Sequence, residues 1–206
     1  MTAPTATPTP VNRPSRRVFA ALMVGTAATA ACAPLVTQSP GEGMRPVNVK
    51  AAEGDARVML DGHDVVAYFT EGRHRLGDPK IASVHKGVTF RFASAEHKAR
   101  FDRDPQAYIP QFGGFCANGI VYAIPWGGDA DSWRIVDGKL YIFGGAGSKA
   151  AFELDVPGNV KLAQAYWKDE VDGSNAFVQR TRRLMFKVPH YQTGEQLAQK
   201  VAAAKR

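Results

Sequence analysis

The sequence predicts an α+β fold, and three observations carry it. Two stretches, 81–92 and 133–143, read as β-hairpins turning at Lys86-Gly87 and at Asp137-Gly138-Lys139. Helix signals follow each hairpin: Ser94 and Ser148 as N-caps, Pro157 in a first turn, and Thr193 with Gln196 as a capping box. Between the hairpins, 110–130 carries Pro110, Gly113, Gly114, Gly119, Pro125, Gly127 and Gly128, a density that denies long regular structure. Strands, helix, loop, strands and helices in that order make a small domain of β-hairpins packed with short helices, followed by a helical tail.

In chain order, Val58-Met59-Leu60 runs into the turn Asp61-Gly62-His63-Asp64. Val65 to Phe69 is an apolar run that fits either a buried helical turn or a strand. In the first hairpin Val88, Phe90 and Phe92 share one face, with Thr89 and Arg91 on the other. Ser94 starts a helix over 95–103 with Phe101 on its inner side, and Pro105 opens a second short one through Tyr108. After the second hairpin, Ser148 is expected to cap a helix over 149–154, and Val160, Ala163 and Trp167 recur at helical spacing. In the tail, Phe177, Val178, Thr181, Leu184, Met185 and Val188 form a helical stripe flanked by Arg180, Arg182, Arg183 and Lys187. That stripe is expected to dock on the body with its arginines in solvent; the competing reading lays it on an anionic membrane. A last helix is expected over 194–204.

The chain divides into a leader 1–31, a tether 32–51, a body 52–170 and a basic tail 171–206. Its 206 residues allow one domain with tails, and 45% hydrophobic with 22% charged residues exclude a disordered chain and a polytopic membrane protein. The net charge of +7 sits in the leader and the tail; residues 32–170 carry 16 basic against 17 acidic side chains. A neutral body without a basic stripe excludes nucleic acid as a partner.

The leader has the layout of an export signal: Ser15-Arg16-Arg17-Val18-Phe19, then small and apolar residues to Ala31. The stretch 18–31 is shorter than the roughly 20 apolar residues a spanning helix needs. Arg16 and Arg17, with Ser15 and Phe19 in register, resemble a twin-arginine signal, which implies the twin-arginine export machinery as a partner and a periplasmic or extracytoplasmic location. Cys32, after Thr29-Ala30-Ala31, resembles a lipoprotein cleavage box and is the lipidation candidate. A cut elsewhere would leave it as a thiol in the tether, and the two outcomes stay open.

Several separate blocks, in order, resemble the YHS domain family, in its secreted bacterial branch. They are Gly62 to Phe69, Gly87 to Ser94, Phe101 with Asp104-Pro105 and Tyr108, Gln111 to Ala117, and Trp133 to Tyr141. The resemblance spans about 60–167. It implies an α+β domain whose metal-binding relatives carry Cys at the positions of Ala67, Ala93 and His97, a soft metal site. Here two of the three are alanine, so metal binding is not carried over to these positions.

The chemistry-bearing residues are few. Two cysteines exclude a multi-disulfide scaffold and a four-thiolate zinc site. Cys116 reads either as a buried small hydrophobe or as a reactive thiol. Glycine and aromatic residues around it nominate a ligand pocket from Tyr68, Phe112, Gly113, Gly114, Cys116 and Trp126. Weak metal candidates are His63, Asp64, His97 and Cys116; the alternative for Asp64 is to cap the following turn. No nucleophile elbow, phosphate loop or dinucleotide fingerprint occurs, so no catalytic residue or cofactor is assigned. The expectation is a non-enzymatic small-ligand or ion-binding module. A thiol-dependent enzyme or redox protein using Cys116, and a structural protein acting through its basic tail, are the alternatives.

Overall fold

The structure is a computed structural model that describes residues 47–52 and 55–206. The export signal with Arg16 and Arg17, and Cys32, lie outside the described residues. Two small sheets with short helices and C-terminal helices make a mixed α+β fold.

Residues 47–52, at the end of the segment read as a tether, enter the fold: β1 (Val49–Ala52) pairs antiparallel with β2 (Asp55–Met59). A left-handed turn at Leu60, Asp61 and Gly62 ends β2. The apolar run that fitted two structures is helical, α1 (Ala67–Thr70), and Val65 to Tyr68 are buried. Then β3 (Asp78–His85) and β4 (Val88–Phe92) form the expected antiparallel hairpin, and β4 also meets β2 in parallel at Val58 and Thr89. The sheet order is β1-β2-β4-β3. Alternation along β4 puts Val88, Phe90 and Phe92 inside, where Phe101 from α2 (Ala95–Arg103) packs with its ring 4.6 Å from Phe90 and 5.1 Å from Phe92. Burying one such ring contributes about 1.5–3 kcal/mol. Ser94 caps α2 as expected, accepting from the His97 N–H at 3.1 Å.

The second hairpin joins β5 (Asp129–Val136) to β6 (Lys139–Phe143) through Asp137 and Gly138, both with positive φ. That is the turn whose twist matches antiparallel strands. β6 is buried on both faces. Leu140 and Ile142 join the core built on Phe90, Phe92 and Phe101; Tyr141 and Phe143 join a second core with Phe112, Phe115 and Phe152.

A four-residue helix, α3 (Ala117–Ile120), lies in the glycine-rich stretch, and α4 (Ala146–Phe152) follows β6. Gly145, with φ of 103°, is the N-cap of α4, and Ser148 lies inside the helix. The expected Ser148 cap is corrected: the Gly-Gly turn starts the helix three residues earlier and frees the hydroxyl. α5 (Val156–Tyr166) has Asp155 as its cap and Pro157 in its first turn. α6 (Ala176–Met185) is capped by Asn175 and α7 (Gly194–Ala204) by the Thr193–Gln196 box.

Of the tail stripe, Val188, beyond the end of the helix, is buried in the second core, but the helical part does not face the core. Ala176 and Gln179 are the buried residues of α6, while Val178, Leu184 and Met185 are exposed. Polar anchors set this phase. Gln179 donates to the Ala123 carbonyl, Arg180 to the Pro125 carbonyl at 2.8 Å, and Arg183 makes a two-pronged pair with Glu170. Burial raises the Glu170 carboxyl, but its bonds from Arg183 and Gln179 outweigh this and hold it below the usual glutamate value. No helix among the described residues is long and apolar enough to cross a membrane.

Candidate functional site

Asp64 is the most committed polar group in the fold. Fully buried, it accepts at Oδ1 from the Val66 N–H (2.8 Å) and the Ala67 N–H (3.3 Å). Its Oδ2 accepts from the Ala93 N–H (2.7 Å) and from the His97 ring at Nδ1 (2.7 Å). On its far side His97 meets the Thr70 hydroxyl at 3.1 Å. Thus position 67 and positions 93 and 97, about 26 residues further on, converge on one carboxylate. Four donors fill the four lone-pair sites of a carboxylate, so Asp64 caps α1 and ties it to the end of β4 and to α2.

Of the weak metal candidates only Asp64 and His97 come together. His63 turns away from Asp64, its Nδ1 lying 2.8 Å from the Leu60 carbonyl oxygen, and its ring sits 5.8 Å from His74. His97 packs by the first core and Cys116 in the second. Among the described residues no group of three His, Cys, Asp or Glu side chains is placed to hold a metal ion.

Cys116 lies at the floor of a cleft of about 420 Å³. It is the N-cap residue of α3, its N–H donates to the Trp126 carbonyl (2.9 Å), and its Sγ lies 3.0 Å from the Ser148 Oγ of α4. Gly127, Gly128, Gly144, Asp129, Asn48 and Trp126 form the walls. A Cβ on Gly128 would fall 2.6 Å from Ile142 Cγ2 and 2.7 Å from the Gly114 oxygen, so only glycine lets this wall close on β6. Asn48 fastens the opposite wall: its Nδ2 donates to the Gly114 (3.0 Å) and Gly128 (3.2 Å) carbonyls. The half-exposed Trp126 ring carries the Arg180 guanidinium 5.1 Å from its centre. Burial lowers the pKa of Arg180. The thiol is paired with a hydroxyl, not with a base.

Of the sequence-nominated pocket, Cys116 and Trp126 come together in this cleft. The others pack elsewhere. Tyr68 is buried in the first core, its hydroxyl donating to the Ala130 carbonyl at 2.7 Å and its ring edge-on to Trp133. Burial, with Asp131 and Asp64 adding, drives its phenol far above the usual range. Phe112 packs between Tyr141 and Trp167 in the second core. Gly113 and Gly114 spend their carbonyls on Asn48 behind the wall. Sequence reasoning missed Asn48, Asp129 and Ser148. Asp129, next to a Gly-Gly pair at a strand start, was the one with a readable signal; Asn48 and Ser148 had been read as tether and cap.

Comparison of the chain with protein-family models, with curated proteins and with solved structures finds no match.

Proposed function

We propose that this protein is an exported cell-envelope module of YHS type that binds a small ligand in the Cys116 cleft without catalysing a reaction. The observation that carries the ligand site is the cleft itself: a thiol floor, glycine walls and an indole rim, with two acceptors facing it uncommitted. The Asp129 carboxylate and the Asn48 Oδ1 take no side-chain partner among the described residues. Such a lining suits a small, donor-rich molecule such as an amine. The family reading is supported by the meeting of positions 67, 93 and 97 around Asp64, where relatives place their thiolates.

Native mass spectrometry of the full chain, purified from the compartment to which it is exported, tests the ligand site. A retained small molecule that is lost in Asp129→Asn/Trp126→Ala, with unfolding unchanged, is the expected result. An empty protein, or a ligand indifferent to the double substitution, would refute it. Export rests on Arg16 and Arg17, and Arg16→Lys/Arg17→Lys should leave precursor in the cytoplasm. Anchoring rests on Cys32, and Cys32→Ser should move the protein from the detergent phase to the aqueous phase.

The tail favours a second reading, contact with an anionic membrane. Met185 (71% exposed) and Phe186 (66%) stand out beside Leu184, with Arg182 and Lys187 flanking them. Sedimentation with phosphatidylglycerol vesicles should fall on Met185→Ser/Phe186→Ser.

A further inference from the structure

A second cavity lies between α4 and α7, a groove of about 540 Å³, within the range of small-molecule sites. Its walls are small or aliphatic: Gly147 and Ala151 on one side, Leu197, Ala198 and Val201 on the other. Ser148 lines both this groove and the Cys116 cleft, but its hydroxyl is spent on Cys116. Two polar groups remain. Asn118 of α3 is only 8% exposed and lines the groove, and its water-reached amide makes no side-chain hydrogen bond among the described residues. A ligand that covered this amide without pairing with it would strand a polar group away from water, which is costly. Lys205, at the C-terminal end of α7, has no ion-pair partner among the described residues.

We propose that this groove binds an acyl-chain carboxylate that carries a second oxygen group, a hydroxyl or a carbonyl. The chain lies along α7 against Leu197 and Val201. The second oxygen pairs with the Asn118 amide, which both donates and accepts. The carboxylate stays at the wet end beside the Lys205 ammonium, so no charge is buried without a counter-ion. A plain hydrocarbon would leave Asn118 unpaired, and a cationic amphiphile would meet Lys205 with the wrong sign. Both are therefore disfavoured ligands of the same shape.

The test uses the full chain and the fluorescence of 1-anilinonaphthalene-8-sulfonate, whose sulfonate and rings suit the groove. The competitors are decanoate, 3-hydroxydecanoate, 10-hydroxydecanoate and decyltrimethylammonium. At least one hydroxydecanoate should displace the dye about fivefold better than decanoate, and the ammonium compound about tenfold worse than decanoate, differences of about 1 and 1.4 kcal/mol. Asn118→Leu should erase the hydroxyl preference and keep decanoate binding. Lys205→Gln, at an exposed position that leaves the fold intact, should narrow the gap between carboxylate and ammonium. Ala198→Phe should fill the groove and abolish dye binding. Dye binding that survives Ala198→Phe, a hydroxyl preference that survives Asn118→Leu, or equal displacement by the carboxylate and the ammonium would each overturn the proposal.

Discussion

Asp64→Ala removes a carboxylate that four donors share, and the structure fixes the size of the loss. The Val66, Ala67 and Ala93 N–H groups and the His97 ring all lose their acceptor inside a site closed to solvent. Each abandoned donor costs about 1–3 kcal/mol. The void left by the carboxyl admits water to some of these donors, so we expect about 4 kcal/mol. Asp64→Asn separates hydrogen bonding from bulk. Its amide oxygen still accepts from Val66 and Ala67, and His97 can turn its Nδ1 into an acceptor by changing tautomer, but the Ala93 N–H then faces an NH₂. That variant should cost about 2 kcal/mol. Urea unfolding followed by circular dichroism measures both. A cost below about 1.5 kcal/mol for Asp64→Ala, or equal costs for the two variants, would refute the account of Asp64 as a four-way tie.

Three further outcomes are expected. Iodoacetamide should modify Cys116 slowly in the native protein and rapidly in urea, and Cys116→Ser should cost about 1 kcal/mol or less, because Ser148 offers the new hydroxyl a partner; rapid native alkylation would favour the thiol-enzyme reading. Glu170 titrates below its usual value when folded, so its contribution is full above about pH 4.5 and is lost as pH falls through the lower folded value. Glu170→Gln should therefore cost about 1–2 kcal/mol at pH 7, read from urea unfolding, and the difference from the parent should vanish at low pH. At Gly77 a Cβ would lie 2.5 Å from the backbone carbon of Arg91, so Gly77→Ala should lower stability by about 2–3 kcal/mol in thermal unfolding.

What could be read in the sequence was local. The hairpins at 86–87 and 137–138, the Ser94 cap and the Thr193–Gln196 box each depend on residues within a few positions of one another, and each formed where expected. What could not be read depended on the partner. The stripe of α6 carried a helical period but not its phase, because Glu170, Ala123 and Pro125, all outside the helix, decide which side turns inward. The same holds for the site. Cys116 and Trp126 were visible as a thiol and an indole among glycines, whereas Asn48 reaches the cleft from 66 residues away in sequence. His63 and Asp64 looked like a ligand pair because they are neighbours, but the His63 ring is held at the Leu60 carbonyl while the Asp64 carboxylate is spent on Ala93 and His97.

The two-sided burial of β6 has a consequence for how occupancy would be measured. Neither core can open without stripping one face of the strand, so the two hydrophobic clusters melt as one cooperative unit rather than as separate foldons. Ile142 of that strand also abuts Gly128 and bridges to Cys116, so the floor of the cleft opens only when the whole domain does. A molecule held there would have no local unfolding route by which to escape detection. Its binding would appear undiluted in the global equilibrium, raising stability by RT ln(1 + [L]/Kd), so that a melting curve becomes a quantitative titration of the cleft.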